Sequence, residues 1–287
     1  MKLLINPVSK RYLDGISANP PHGLLLEGPD GIGKGALSRH IAGRILDIDA
    51  EKSEDHPYVH IIEHSGSISI DDIRKLTNFT KLKVSGKQAI KRVIIVEHAG
   101  NMTREAQNAF LKLLEEPPAD TVIILSAGNK AQLLPTIVSR VVAIAVTKPT
   151  ESDIKQHFLG MGYKQIDVDK ALAISGGLPG LMTALLDKDE EDALLAYIDN
   201  SKGLLGLTTF ERLIKADEYI KQKDDVALLL DALDKVARAA LNSAINSGKN
   251  AQTVRWNNLL AEISGKQKAL GSNPNTKLLL TDLVLNL

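Results

Sequence analysis

The sequence has no cysteine and no excess of charge of either sign. Without thiols, the chain can form neither disulfide bonds nor thiolate metal sites, and this composition is typical of a reducing compartment. Lys and Arg together number 35, as do Asp and Glu. No overall positive field would therefore hold the chain on a nucleic-acid backbone, so contact with DNA requires a local patch or a partner protein.

Long apolar runs are also missing. No stretch approaches the roughly 18 consecutive apolar residues of a membrane span. The apolar run before Asn6 and Pro7 is too short for the core of a secretion signal. We therefore expect a cytoplasmic protein with no membrane contact. With 287 residues, of which 44% are hydrophobic, the chain is long enough for two or three separate cores.

Strand-like segments occur only in the first half of the chain. Runs rich in β-branched and other apolar residues cover 23–27, 58–63, 92–97, 121–126 and 141–146. Near-continuous apolar runs are typical of strands that are buried on both faces. Because helical stretches alternate with them, this part of the chain is predicted to be an α/β domain with a parallel sheet.

Beyond residue 147 the pattern is helical. A glycine and proline break at 176–180 and a charged stretch at 187–192 divide this part. We predict domains at 1–147, 148–187 and 188–287, and the alternative is a single helical domain after 148. The last helix is expected to begin with Asn273 as its cap and Pro274 in its first turn.

A glycine-rich loop follows the first predicted strand, where residues 28–35 read GPDGIGKG. Gly28, Gly31 and Gly33 are spaced so that backbone N–H groups can turn toward a phosphate, and Lys34 can reach the outer phosphates. A helical stretch comes next, so the pattern predicts a phosphate-binding loop. The alternative is a glycine-rich turn with a solvated lysine.

The positions needed for hydrolysis are altered. Gly35 stands where Ser or Thr would ligate Mg²⁺. The predicted third strand ends in Glu97 and His98, where Asp and Glu are expected. His98 as an unusual general base is the alternative to a disused site. We expect a degenerate loop that binds ATP or ADP weakly or not at all, and no intrinsic ATPase activity.

Two longer motifs carry a family resemblance. Residues 102–118 read MTREAQNAFLKLLEEPP, and residues 133–140 read LLPTIVSR. Both closely resemble motifs of the clamp-loader branch of the AAA+ family, and segments 68–76 and 273–280 are similar to further parts of such proteins. The resemblance implies an AAA+ α/β domain with a parallel sheet, then a small helical lid and an all-α collar through which subunits assemble.

The resemblance also implies a role for Arg140. In such assemblies the arginine of the S-R motif reaches into the ATP site of a neighbouring subunit as an arginine finger. Ala127 and Gly128 stand where hydrolysing members carry a polar sensor, and Pro179 stands at or near the lid arginine of motor subunits. Loss of these groups with Arg140 retained indicates a stationary, non-hydrolysing subunit.

The partners implied by the resemblance are gamma/tau-type motor subunits and a delta-type subunit, with the sliding clamp and primed DNA reached through the complex. The alternative within the family is an ATP-hydrolysing gamma/tau-type motor subunit. Motor-type members typically extend beyond the collar, whereas this sequence stops at Leu287, which favours the stationary subunit. A third possibility is an AAA+ protein of another DNA transaction.

Histidines and lysines near the second strand offer weaker signals. His56, His60 and His64 have a spacing of four, but Pro57 argues against one helical face, so we expect surface histidines and no metal site. The four-cysteine zinc module of many bacterial relatives must be absent, so no zinc is expected. A basic cluster either touches a phosphate backbone or forms a solvated face. Its members are Lys81, Lys83, Lys87, Lys91 and Arg92, with Arg74 and Lys75 on the preceding helix.

Overall fold

The computed structural model describes residues 4–63, 66–81, 89–187, 193–219, 223–270 and 275–287. The chain divides into two compact units, Met1–Ile154 and Lys155–Leu287. The finer division into domains at 1–147, 148–187 and 188–287 stays a prediction.

The first unit is built on a five-stranded parallel sheet. Its strands are β1 (Gly23–Glu27), β2 (Val59–Ile62), β3 (Arg92–Val96), β4 (Thr121–Ala127) and β5 (Val142–Ala145). They lie in the order β2-β3-β4-β1-β5, and each pair is parallel. The predicted α/β class and the five predicted strands are confirmed. The first strand lies between the fourth and the fifth, so both of its edges are hydrogen-bonded.

Short helices connect these strands. They are α2 (Lys34–Leu46), α3 (Ile70–Thr80), α4 (Arg104–Glu115) and α5 (Pro135–Val138). Helix α1 (Pro7–Ala18) precedes β1, and α6 (Glu151–Gly160) crosses the boundary between the units. Side chains at the helix starts explain several of these boundaries. Ser69 and Asp72 form a capping box at α3, and the Thr103 hydroxyl accepts a hydrogen bond from the Ala106 N–H at α4.

The core of the first unit lies around β3 and β4, whose residues are all buried. On one face, α3 and α4 contribute Ile73, Leu76 and Phe110, all essentially inaccessible to solvent. Burying such a side chain stabilises the fold by about 2 kcal/mol each. This packing fixes the ends of β3 and β4, and the polar residues that follow each strand are held there.

The edge strand β5 differs from the sequence expectation. A strand buried on both faces was predicted, but Val142 is 47% exposed and only Ile144 among the four residues is buried. The physical reason is that β5 pairs with β1 alone and closes the sheet on that side. An apolar run does not distinguish a central strand from an edge strand.

The second unit is helical throughout its described residues. Its helices are α7 (Gln165–Ser175), α8 (Pro179–Asp187), α9 (Ala193–Gly206), α10 (Thr209–Tyr219), α11 (Lys223–Asn246), α12 (Asn250–Leu270) and α13 (Thr276–Asn286). A buried cluster that includes Leu230, Leu233, Ile263 and Leu280 joins several of them. Helical segments were predicted here, as found. Over the ranges that the structure covers, no helix is long and apolar enough to span a bilayer.

The last helix starts later than the sequence suggested. Asn273 and Pro274 lie outside the described residues, and α13 begins at Thr276. Asn275 is the observed cap, because its side chain accepts a hydrogen bond from the Leu278 N–H at 3.2 Å. The helix cap is therefore Asn275 and not the predicted Asn273. Both asparagines have the short hydrogen-bond acceptor that a helix cap needs, so the sequence did not distinguish them.

Candidate functional site

The glycine-rich loop joins β1 to α2 at the carboxyl end of the sheet. Gly31 and Gly33 have positive φ angles of 80° and 94°, a conformation that glycine adopts at little cost. Gly28 is close to the backbone after β5, because a Cβ atom there would lie 2.7 Å from the Val146 carbonyl oxygen. The three glycines of the predicted motif therefore each have a local structural requirement.

Lys34 is the first residue of α2 and is 5% exposed. Its Nζ atom donates to the Gly28 carbonyl at 2.7 Å, the Pro29 carbonyl at 3.1 Å and Asp30 Oδ1 at 2.9 Å. Lys34 is therefore not solvated, as the alternative of a glycine-rich turn with a solvated lysine supposed; the phosphate-binding role of the loop stays a prediction. The ammonium group is thus engaged by the loop itself, through two of its carbonyls and the Asp30 carboxylate. A bound phosphate would compete with the loop carbonyls for it.

Gly35 lies beside the end of β3, where Glu97 is only 6% exposed. A Cβ atom at Gly35 would lie 2.7 Å from Glu97 Oε2 and 2.8 Å from Arg39 Nη1. These separations are below van der Waals contact, so serine or threonine would not fit without movement of both neighbours. Position 35 thus lacks a hydroxyl group, and the space that a side chain would take there is filled by Glu97 and Arg39.

Arg39 fills that space, and the sequence reasoning did not single it out. Its guanidinium contacts three carboxylates, with 2.5 Å from Nη1 to Glu97 Oε1 and 2.8 Å from Nη2 to Glu63 Oε2, and a further ion pair with Glu54. A usable signal was its spacing, because Arg39 follows Gly35 by four residues and so lies on the same face of α2. Its partners, however, come from distant parts of the sequence.

The electrostatics of this pair reflect burial and close opposite charge. Burial lowers the pKa of Arg39, but Glu97, Glu63 and Glu54 outweigh that effect, so its pKa is raised above the ordinary value. Burial also raises the pKa of Glu97, while the Arg39 guanidinium opposes the rise. The arginine is therefore a permanent cation, and Glu97 gives it a partly buried hydrogen-bond acceptor.

The remaining altered positions line the same end of the sheet. His98 has a left-handed backbone with φ of 48° and is partly exposed, and its Nδ1 lies 3.8 Å from Asp30 Oδ1. Ala127 ends β4 and Gly128 follows it, with the Gln132 side chain nearby. The first unit thus gathers four altered positions at the carboxyl end of the sheet, which also carries the loop. They are Gly35, Glu97, His98 and the sensor position at Ala127 or Gly128. Pro179 belongs to the second unit, where it is the buried first residue of α8.

Arg140 lies at the opposite, amino end of the sheet. It precedes β5, which runs parallel to β1 with Leu24 opposite Val142 and Glu27 opposite Ala145. The loop follows β1 by contrast, so the two sites are separated by the length of the strand, about 15 Å at 3.3 Å per residue. Arg140 therefore cannot reach the phosphate loop of its own chain.

The surroundings of Arg140 form an open pocket of about 550 Å³. The guanidinium is partly exposed, with Nη2 2.8 Å from Glu115 Oε1 and Nη1 donating to the Thr136 carbonyl at 3.0 Å. The pocket is lined by His22, Leu114, Glu115, Ser139, Arg140, Val141 and Val142. An arginine that is held only by surface contacts is available to an anion from another molecule.

Gln107 supports this region from within the core. Its Nε2 donates to the Met102 carbonyl at 3.2 Å and the Gln132 carbonyl at 3.3 Å, and its Oε1 accepts from the Leu134 N–H at 2.7 Å. Gln107 therefore ties α4 to the segment that leads into α5 and Arg140. The sequence motif contained this glutamine, but only the structure gives it a positioning role.

The histidines occupy separate places around β2. His56 packs edge-on against Tyr58, and His60 lies against Phe79 with its pKa lowered by burial and then by Lys75. His64 lies outside the described residues. Among the side chains that the structure describes, no group of three or more His, Asp or Glu could hold a metal ion.

The basic cluster needs a correction at Arg92. This residue is 5% exposed and donates to the Phe79 and Thr80 carbonyls and to Asp120. A phosphate-contact role for Arg92 is wrong, because its guanidinium is used inside the fold. Arg74 and Lys75 are exposed but pair with aspartates of their own helix. Lys83 and Lys87 lie outside the described residues.

Comparison with known proteins identifies several relatives that are named as DNA polymerase III subunits. A family described as "DNA polymerase III, delta subunit" matches residues 14–150. DNA polymerase III subunit delta' of Pseudomonas aeruginosa is 31% identical over 67% of this chain and 63% of its own length. The delta' subunit of Bacillus subtilis is 35% identical over 49% of this chain and 44% of its own length. The chain thus spans roughly half to two thirds of the curated relatives that it matches.

A solved structure supports the fold. A DNA polymerase III gamma subunit-related protein of Thermotoga maritima superposes with a TM-score of 0.55, at 22% identity, over 96% of this chain and 97% of its own. At that identity the likeness concerns the fold alone. The matched family model and the delta' relatives together show that the chain belongs to the clamp-loader AAA+ family that includes the DNA polymerase III delta' subunits.

Proposed function

We propose that this chain is the stationary, non-hydrolysing subunit of a bacterial clamp loader within the DNA polymerase III holoenzyme. It assembles with gamma/tau-type motor subunits and a delta-type subunit, helps to place the sliding clamp on primed DNA, and contributes Arg140 to the ATP site of a neighbour. Its own loop binds ATP or ADP weakly or not at all.

One observation carries the proposal, namely the contrast between the two ends of the sheet. At the carboxyl end, the groups that hydrolysis needs are replaced, and Arg39 occupies the space between Gly35 and Glu97. At the amino end, Arg140 is partly exposed and about 15 Å from its own loop. An arginine in that place can stabilise developing phosphoryl charge only on a nucleotide that another chain holds.

The isolated chain provides the first test. We expect ATP turnover no higher than that of a Lys34→Ala variant, because Gly35 supplies no metal-ligating hydroxyl and Glu97 is paired with Arg39. Steady hydrolysis that Lys34→Ala abolishes would instead support the alternative, an ATP-hydrolysing motor subunit of the gamma/tau type.

The reconstituted complex provides the second test. Arg140→Ala is expected to leave assembly intact on size exclusion but to lower ATP turnover at least tenfold at the affected interface, since an arginine finger contributes about 10³-fold or more to phosphoryl transfer. Arg74→Ala is a matched control, because Arg74 is exposed and pairs with Asp71 of its own helix. Equal turnover in wild type, Arg140→Ala and Arg74→Ala would remove Arg140 from the mechanism.

A further inference from the structure

The space between Gly35 and Glu97 is where a phosphate-loop hydrolase holds its metal ion. In such enzymes the hydroxyl of the residue after the loop lysine and a carboxylate at a later strand end share Mg²⁺. Here the residue after Lys34 has no side chain, and a Cβ atom on it would lie within 2.8 Å of both Glu97 oxygens and of Arg39 Nη1. A guanidinium therefore stands at that position.

The metal that the fold family implies does not fit this arrangement. Mg²⁺ requires about six oxygen ligands in near-octahedral geometry, at roughly 2.1 Å. Gly35 supplies none, and Glu97 Oε1 accepts a charge-assisted hydrogen bond from Arg39 at 2.5 Å. A divalent cation would have to displace that bond and would then lie beside a fixed positive charge.

The guanidinium is well suited to its place. It is planar with five N–H donors, and the three carboxylates of Glu54, Glu63 and Glu97 meet it through Nε, Nη2 and Nη1. The pair with Glu97 is shielded from bulk water, because the Arg39 side chain is 18% exposed and that of Glu97 is 7% exposed, whereas Glu54 and Glu63 are exposed. The three carboxylates also raise the pKa of Arg39, which therefore stays charged.

We infer that Arg39 takes the place of the divalent cation in this pocket. The pocket excludes Mg²⁺ because the guanidinium is already bound to the Glu97 carboxylate. The inference deepens the proposed non-hydrolysing role and rests on it. A nucleotide at the loop is then held as the metal-free polyphosphate, with Lys34 and the loop N–H groups as its partners. Glu54, Glu63 and Glu97 do not form a metal site as they are placed. Without Arg39 their charges would repel one another, and movement of these side chains would allow a divalent cation to bind between them.

The test is a titration of the full chain with Mn²⁺, in which electron paramagnetic resonance measures the concentration of free Mn²⁺. Wild type is expected to show no saturable binding that depends on Glu97, Arg39→Ala to bind Mn²⁺ at least tenfold more tightly, and Arg39→Ala with Glu97→Gln to lose that gain. Binding by wild type that Glu97→Gln abolishes would overturn the inference, as would the absence of a gain in Arg39→Ala. Arg39→Gln replaces Arg39→Ala if circular dichroism shows that the latter is unfolded.

A nucleotide measurement separates this inference from the proposed function. The change in unfolding temperature that ADP causes is measured once with EDTA and once with Mg²⁺. The two values are expected to be equal, and both are expected to be zero if the loop does not bind ADP. A shift that requires Mg²⁺ would contradict the inference about Arg39. Failure of the clamp-loader role would show instead as unchanged turnover of the reconstituted complex on Arg140→Ala, which the metal measurements do not affect.

Discussion

Arg140 and Glu115 form an ion pair at the amino end of the sheet, with 2.8 Å between Nη2 and Oε1 and both side chains substantially exposed. Exposed pairs of this kind contribute about 0 to 1 kcal/mol to stability. The pair joins the end of α4 to the residues before β5. It therefore orients the arginine through a weak contact, and under the proposed function an anion of a neighbouring subunit would replace Glu115 as its partner.

Glu115→Gln tests this view of the pair. We expect the free energy of unfolding to change by less than about 1 kcal/mol, because both charges are solvated. In the reconstituted complex the variant should retain ATP turnover, since Arg140 remains and loses only a competing partner. Chemical denaturation and steady-state turnover measure the two quantities. A loss of turnover as large as that of Arg140→Ala would show that Glu115 itself is needed at the interface.

Gln107→Ala is expected to destabilise the first unit by about 2 to 3 kcal/mol. The side chain is 7% exposed and bonds to two carbonyls and one N–H, so its removal leaves buried polar groups of the backbone without partners. Urea denaturation gives the magnitude. Gln252→Ala is the control, because Gln252 is exposed on α12 and should change stability by less than about 0.5 kcal/mol. Equal effects at the two sites would refute the positioning role of Gln107.

The sequence predicted the parts of the fold that depend on local pattern. The five apolar runs predicted the strands, because strands that are buried between helices need apolar residues on both faces. The glycine spacing predicted the loop, because glycine adopts positive φ angles at little cost. Arg39 escaped prediction since its partners, Glu54, Glu63 and Glu97, lie up to 58 residues away. The exposure of β5 escaped it as well, because strand order is a property of the whole sheet.

Gly35→Ser tests whether the loop can be repaired by one substitution. The added Cβ would push aside the ends of the Glu97 and Arg39 side chains and weaken their hydrogen bond, so we expect destabilisation of about 1 kcal/mol relative to Gly15→Ser and no gain of ATP turnover. Gly15→Ser is the matched control, because no atom lies within 4 Å of a Cβ atom at that position on α1. Thermal unfolding of both variants measures the difference. A Gly35→Ser chain as stable as Gly15→Ser would mean that the pocket has room for the side chain.

Asp72 makes part of the stability of α3 depend on acid pH. Hydrogen bonds from the Ser69 side chain and backbone, and then from Lys75, lower the pKa of Asp72 from 3.8 to about 2. Because the unfolded chain takes up the proton first, the stabilisation is fully present above the unfolded value of 3.8 and is lost as the pH falls toward about 2.

This cap is expected to contribute about 1 kcal/mol, the usual size of a helix-capping interaction at the surface. Asp72→Asn keeps the size of the side chain and removes the titration, so the stability difference between wild type and variant should shrink as the pH falls through that window. Asp71→Asn is the control, since Asp71 is exposed in the same turn and outside the capping box. Chemical denaturation at a series of pH values measures the difference, and an NMR titration of the Asp72 carboxyl gives its pKa directly. A difference between wild type and Asp72→Asn that stays constant with pH would show that the carboxylate does not cap α3 in solution.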